Sequence, residues 1–487
     1  MRRFFLLFIL AVAGLFLALL ANTLMYRSQQ TVVSEASSKL QAYPEATLRL
    51  AEALRIKTIS VSTDLNAHAA DFVRFHQFLA TQFPQVHATL QKEVINNHSL
   101  LFHWQGSDPS LKPVLYMAHS DVVPADTSKP EYWQQAPFSG AIIDGFVWGR
   151  GALDNKSSLM GLLEATEQLI GQGFQPKRSI YFAFGHDEEL GGKEGNQRIA
   201  AHLQQQGVQL SSVLDEGFFV LDGMIPGLPA PAAMIGIAEK GFLSLKLSTE
   251  SEGGHSSTPP QHTAIGILSQ AINRLEDNPV PGGLDGLLGQ TFAALGAEMP
   301  FLKKMIFANL WLFQPVVEKQ LAAKPSTNAL MRTTTAVTMI EGGIKENVLP
   351  NTAWAVVNFR ISPTDSIGSV ISYVRNTIND DRISIEKYGE MLAEPSAISS
   401  TKSDSYQQLA NVIRQHFPGA IVAPANVVGA TDSRHYQGIA DNIYRFMPVV
   451  LSKDDISRFH GHNERIAIND YQRLISFYYQ LLQRSAE

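Results

Sequence analysis

The sequence predicts an α/β protein with a second, smaller unit inserted into it and an apolar helix in front. Three observations predict this. Short apolar runs of strand length, "PVLYMAH", "RSIYFAFGH" and "SSVLDEG", alternate with helical stretches in the first half, the pattern of a mostly parallel mixed sheet with helices on both faces. Near Glu239 the character changes: in "GFLSLKLSTE", Leu243, Leu245 and Leu247 alternate with other residues, which marks a strand with one wet face. After about residue 390 the α/β pattern resumes, so the second unit interrupts the first. A chain of 487 residues is in any case too long for one ordinary core.

The elements follow in order. "MRRFFLLFILAVAGLFLALLA" places Arg2 and Arg3 before an uncharged stretch from Phe4 to Ala21. Those residues, at ~1.5 Å each, span ~27 Å, close to the ~30 Å of bilayer hydrocarbon. Residues 1–26 therefore read as a transmembrane anchor, with the basic end cytoplasmic and the body on the extracytoplasmic side. The competing reading is a cleaved secretion signal, for which Leu19 before Ala21 makes a poor small-x-small site. Residues 27–45 are polar and read as a stalk. From "EATLRLAEALRIKTIS", with Leu48, Leu50, Leu54 and Ile56 spaced for a buried face, the first part of the main unit runs from 46 to 240. "ADFVRFHQFLATQF" and "NKSSLMGLLEATEQLIGQG" are helices, the latter closed by Gly171 or Gly173. Residues 241–390 then give strand, helix, strand, strand, helix, strand, the βαββαβ order of ferredoxin-like domains. An apolar insertion at 279–326 interrupts it. Residues 391–487 return to the first unit and end on the helix "DYQRLISFYYQLLQR".

Composition narrows the function. The chain is 45% hydrophobic and 17% charged, a globular balance. Its net charge is −6 and it has no long basic run, which argues against a nucleic-acid partner. It has no cysteine, so disulfides, thiol nucleophiles and Cys-ligated zinc are excluded.

Chemistry gathers at the strand ends. "FGHDEELGG" sets Asp187, Glu188 and Glu189 behind the apolar run "SIYFAF". Like charges at the edge of a core repel and are driven toward protonation, and a divalent cation removes that cost. Other ligand types stand in comparable places: His119 with Asp121 in "YMAHSDVVP", Asp154 before a helix in "GRGALDNKSS", Asp215 in "SVLDEGF", and His460 and His462 in "RFHGHNERI". Asp121, two residues beyond His119, can orient its imidazole. Two histidines with several carboxylates suit a pair of zinc-like ions better than one, and no His-Glu-x-x-His helix is present. In a two-metal site one carboxylate bridges the ions and a free one handles the water's proton. Glu188 and Glu189 can divide those roles. Singly, His119 could be an ordinary core or surface residue, Asp154 a helix cap, and the triplet a solvated loop. Together the order H-x-D, D-N-K, D-E-E, L-D-E-G and H-x-x-N-E is far more specific.

That order resembles the two-zinc aminoacylase/carboxypeptidase family of metallopeptidases over about residues 46–487. "GHDEELGG", "LDEG" and the N-terminal anchor are most similar to its carboxypeptidase S branch, which holds N-fatty-acyl-amino-acid synthase/hydrolases. The resemblance implies a zinc-peptidase-like catalytic domain with the ferredoxin-like unit as lid or dimerisation domain. It implies two Zn²⁺ (Co²⁺ or Mn²⁺ would suit the same donors): one on His119, Asp154 and Asp215, the other on Asp154, Glu189 and His460, with Asp154 shared. Glu188 would be the general base and acid, and Asp121 the His-orienting catalytic carboxylate. Asp187 and Glu216 would be bystanders, and His462 the rival of His460. "EGGHSSTPP" implies His255 as oxyanion donor, arriving from the partner subunit in dimeric relatives. "KENVLP", "VNFRISP" and "GATDSRHY" imply Asn347, Arg360, Ser433 and Arg434 as holders of the substrate carboxylate; ordinary ion pairing is the plain reading of the two arginines.

The expected activity is hydrolysis of the amide next to a free amino-acid carboxylate, in a peptide or an N-acyl amino acid. The alternative is a membrane-anchored peptide-binding or scaffold protein with a dead site. The insertion reads first as a helical hairpin with its own small core or a dimer surface. A sharper reading makes it a greasy wall beside the site, or a patch facing the membrane.

Overall fold

The computed structural model describes residues 1–31, 43–61, 64, 67–284, 286–389 and 391–487. A 10-stranded mixed sheet forms the main unit. Its centre is parallel: Ile180–Gly185, Val114–His119, Ser212–Asp215 and Ile443–Arg445 lie side by side. The first three are the apolar runs read as strands, and both faces of the sheet are covered. On one face lie the helices Lys156–Gly171 and Ile468–Ser485; Asn196–Gln205 lies on the other. The antiparallel strands Gln91–Ile95 and Ser99–Trp104 extend one side. Toward the other, Ala232–Glu239 pairs in parallel with Ile421–Val427.

Two helices of the first face meet closely because Gly161 has no side chain. A Cβ there would lie 2.1 Å from Leu474 Cδ2 on the closing helix. In the first helix of the body, Pro44–Arg55, the buried residues include Leu50, Ala51 and Leu54. Leu48, expected on that face, is 57% exposed. Two residues before Leu50, it lies ~200° around the helix from it.

The inserted unit has a four-stranded antiparallel sheet ordered Thr334–Gly342, Thr352–Ile361, Gly241–Glu250, Ser384–Lys387. Helices Ala264–Asp277 and Ile367–Ile378 cover one face, where Leu243, Leu245 and Leu247 are buried. Both helices start on side-chain caps, Thr263 and Ser366.

The apolar insertion is not one hairpin. It folds as successive helices, Leu287–Gly296, Phe301–Ala308, Leu310–Ala322 and Pro325–Met331. Leu284, Leu288, Val317 and Met331 make a small core of their own. Its first helix also packs against the main sheet, where Thr291 Oγ1 donates to Pro424 O (2.7 Å).

The N-terminal helix spans Arg2–Met25 and is long and apolar enough to cross a membrane, the only such helix among the described residues. Of the segment expected as a stalk, residues 32–42 lie outside the described residues. Before them, Gln30 already pairs with the main sheet: its Nε2 donates to Val422 O (3.0 Å) and its Oε1 accepts from Val422 N (2.9 Å).

Gly161→Val should lower the stability of the main unit by about 1–3 kcal/mol, the usual cost of overpacking. A urea titration followed by far-UV circular dichroism reads this, and an unshifted midpoint would show that the helices tolerate separation.

Candidate metal centre

The parallel strands end on one side of the sheet, and there the ionisable residues converge. Asp154 is the meeting point. Its Oδ1 accepts from His119 Nε2 (2.8 Å) and its Oδ2 from His460 Nε2 (3.1 Å). These partners are 35 and 306 residues away in sequence. His460 Nε2 also lies 3.0 Å from Glu189 Oε2, and His119 Nε2 lies 3.2 Å from Glu216 Oε1. Ligand atoms of His119, Asp154 and Glu189 all fall within 4.8 Å of one another, as do those of His119, Glu188 and Glu216. Asp154 is not a cap: the N-cap of the following helix is Asn155.

His119 is held from behind. Its Nδ1 donates to Asp121 O (2.9 Å) and lies 3.3 Å from Asp121 Oδ1. Because a carbonyl oxygen only accepts, Nδ1 carries a proton, and Nε2 is the nitrogen that faces the carboxylates. The Asp121 carboxylate also accepts from Ser60 Oγ (2.7 Å) and from the backbone N–H groups of Glu188 (3.2 Å) and Glu189 (3.3 Å). It thus ties the His119 segment to the acidic triplet. Gly191 and Gly192 close that triplet with positive φ, 97° and 67°. A Cβ on Gly192 would lie 1.8 Å from Asp432 Oδ1, so the "GG" lets the loop turn tightly against Asp432.

Asp215, the expected ligand, and Glu216, the expected bystander, meet different surroundings. Asp215 accepts from Ser433 N (3.0 Å) and Glu216 N (2.9 Å), and it has no part in either ligand group, whereas Glu216 does. Strand alternation explains this. Val213 packs with the core beneath Tyr436 and Leu214 with the opposite one, toward the helix that follows Asp154. Asp215 follows the phase of Val213, and Glu216 that of Leu214.

The remaining expected residues divide. Asp187 accepts from Glu194 N (2.8 Å), away from the histidines. His462 packs edge-on against Tyr132 and Trp133. Ser433 Oγ bonds Thr431 Oγ1 (2.6 Å), and Arg434 Nη2 donates to Gly191 O (2.6 Å), beside the triplet. Arg360 stacks over Phe242 in the inserted unit, 4.7 Å from the ring centre. His255 lies on a two-stranded ribbon and Asn347 in the turn just before its second strand; both are exposed, and Ser256 N donates to Asn347 O (3.2 Å). His255 Nδ1 accepts from Ser257 N (3.1 Å).

Sequence reasoning missed the clamp behind Asp154. The buried Glu464 Oε1 accepts from the N–H groups of Gly151 (3.0 Å), Leu153 (2.8 Å) and Asp154 (3.1 Å). Its Oε2 takes Arg150 Nη1 (2.7 Å), and Arg150 Nη2 donates to His460 O and Gly461 O (both 3.1 Å). Also unread was Asp432, which accepts from Asn196 Nδ2 (2.8 Å).

The electrostatics fit a cation. Burial pushes Glu188 well above the ordinary carboxyl range and raises Glu189. Burial also takes Glu216 up to about 8, with the charge of Asp154 adding to it, and Asp432 up to about 7. Hydrogen bonds to Asp154 and Glu189 raise His460 to about 10. Burial opposes charge on His119, but Glu216, Asp121 and Asp154 outweigh it and hold the imidazolium. Protons on the imidazoles thus supply the positive charge that these carboxylates require. Glu189 Oε1 remains buried with no hydrogen-bond partner. Imidazole nitrogens and carboxylate oxygens are zinc's usual donors, so the residues present fit such a metal.

Comparison with known proteins shows the family. Residues 115–484 match the model of peptidase family M20/M25/M40. The chain is 42% identical to the probable carboxypeptidase S-like 2 of Dictyostelium discoideum over 97% of this chain and 92% of that protein. It is 44% identical to the N-fatty-acyl-amino acid synthase/hydrolase PM20D1 of Mus musculus over 89% of this chain and 86% of that one. Among solved structures, the fold is similar to the M20 family metallo-carboxypeptidase Sso-CP2 from Sulfolobus solfataricus. The TM-score is 0.63 at 19% identity, covering 91% of this chain and 100% of that one.

Glu464→Gln keeps the shape of the clamp and removes its charge. Zinc affinity, read by calorimetric titration of metal-free protein, should fall about 10–100-fold, as for other outer-shell partners. Equal affinity in the two proteins would show that the clamp does not position the ligands.

Proposed function

The chain belongs to the M20 peptidase family, and from that premise we propose a membrane-anchored, two-zinc amide hydrolase. It cleaves the amide next to a free amino-acid carboxylate, in a peptide or an N-acyl amino acid. One observation carries the reading: the two oxygens of Asp154 meet imidazoles from opposite ends of the body. His119, Asp154 and Glu216 would hold one zinc, with Glu216 in place of Asp215. Asp154, Glu189 and His460 would hold the other. The same donors accept cobalt or manganese.

When bound, the metal pair supplies Lewis-acid polarisation of the scissile carbonyl and a lowered water pKa. The chain's own residues do the rest. Asp121 fixes the His119 tautomer and, through the N–H groups of Glu188 and Glu189, the start of the triplet. The Glu188 carboxylate takes a proton from the attacking water and returns it to the leaving nitrogen. Burial, which favours its protonated form, suits it to hold that proton between the two transfers. Arg434, beside Gly191, and Arg360 are the candidates for the substrate carboxylate. Ser433 serves the fold, because its N–H is committed to Asp215 and its hydroxyl to Thr431.

His255 and Asn347 would act from a partner copy in a homodimer joined through the inserted unit. Exposed apolar side chains near their ribbon, Ile340, Ile344 and Val348, support an interface there. The body would lie on the extracytoplasmic side, with Arg2 and Arg3 left in the cytoplasm. The similarity to an N-fatty-acyl-amino acid synthase/hydrolase supports acyl substrates, and the similarity to a carboxypeptidase S-like protein supports peptides.

A hydrolysis screen over dipeptides and N-acyl amino acids of graded chain length, before and after chelation, tests the class. Activity should disappear with the metal and return with zinc. Glu188→Gln should keep its zinc, by elemental analysis, and lose about 10²–10⁴-fold in kcat; full turnover would remove Glu188 as the base. If His255 works across subunits, mixing inactive His255→Ala and Glu188→Gln proteins under exchange should restore part of the activity. Mixed dimers as inactive as their parents would place His255 in its own subunit's site, or outside the chemistry.

A further inference from the structure

The N-terminal helix is docked on the insertion. Asn309, buried between the helices Phe301–Ala308 and Leu310–Ala322, grips it with its amide. Its Nδ2 donates to Leu19 O (3.1 Å), and its Oδ1 accepts from Asn22 Nδ2 (2.9 Å). Tyr26 OH donates to Phe292 O (3.1 Å). Leu19 belongs to the apolar stretch Phe4–Ala21 and lies ~9 Å below the helix end at Met25. The insertion therefore meets the helix at a depth that belongs to the hydrocarbon edge rather than to free solvent.

The surface beside this junction is apolar and bare. Phe301, Leu302 (69%), Trp311 (62%) and Val316 are exposed, continuous in kind with Leu24 and Met25 on the helix. Trp311 Nε1 donates to Asn309 Oδ1 (3.2 Å), the oxygen that also holds Asn22. The indole is thereby fixed at the helix's polar end, where Trp favours the membrane–water boundary. From Met299 to Val317 the chain has two lysines and no carboxylate, the charge pattern that suits anionic headgroups.

We propose that residues 301–316 form a membrane-docking surface, seated in the leaflet where the N-terminal helix ends and anchored by Trp311. The body then lies against the bilayer rather than hanging from a tether. This rests on the reading of the N-terminal helix as a membrane span. A second copy of the chain is the weaker occupant, because the bare surface continues onto a helix that itself needs lipid.

The absence of cysteine makes the test direct. Single-cysteine variants of the full chain, Leu302→Cys and Val316→Cys, carry a fluorophore in nanodiscs of phosphatidylcholine and phosphatidylglycerol. Leu10→Cys reports on the helix, and Ile344→Cys (97% exposed) on the inserted unit. Nitroxide-bearing lipids should quench positions 302 and 316 as they quench 10. Aqueous iodide should quench them severalfold less than 344. Labels at 302 and 316 that behave like 344 while 10 stays in lipid would overturn the docking surface and leave the span intact. Labels shielded from both quenchers would place a protein there and also overturn it. An iodide-quenched position 10 would overturn the span and the docking surface together.

Discussion

The centre depends on a buried carboxylate that touches neither histidine side chain. Glu464 accepts three backbone N–H groups from the turn before Asp154 and pairs with Arg150, which in turn holds the carbonyls of His460 and Gly461. An unpaired charge buried at that depth would cost several kcal/mol. Here both carboxylate oxygens are satisfied, and satisfying them joins two segments 310–314 residues apart in the chain. The contact between Asp154 and His460 follows from that clamp, since neither loop belongs to the sheet that positions His119.

The rest of the site is a consequence of strand order. Adjacent parallel strands deliver His119 and the acidic triplet to one edge of the sheet, and Ser212–Asp215 delivers Glu216 beside them. Asp121 then couples two of these segments through side chain and backbone at once. The outcome is a cluster of acids too crowded to stay ionised in a dry setting, which is why positive charge is needed there.

The layout was readable because apolar strands ending in His or Asp/Glu are conspicuous, and because the inserted unit announces itself by the alternation around Leu245. The place of Glu216 beside His119 was equally readable from alternation, since Leu214 and Glu216 share a phase; the identity of neighbouring residues hid it. Leu48 is apolar like its neighbours, but its angular position on the helix turns it outward. Glu464 and Arg150 were beyond reach, as their roles arise only when distant loops meet. His255 and Arg360 stand on the inserted unit, whose relation to the centre no local pattern encodes.

Gln30 closes on Val422 only a few residues after the N-terminal helix ends, leaving almost no slack in the chain between them. If the helix spans a membrane, as proposed, a catalyst held so short would not sample the bulk. It would patrol a plane, and amphiphiles dissolved in that plane would reach it by lateral diffusion at the high local density of a thin layer. Water-borne peptides would gain no such enrichment. Substrate preference would then be set as much by partitioning as by fit, and a ranking taken in detergent would differ from the one at the membrane.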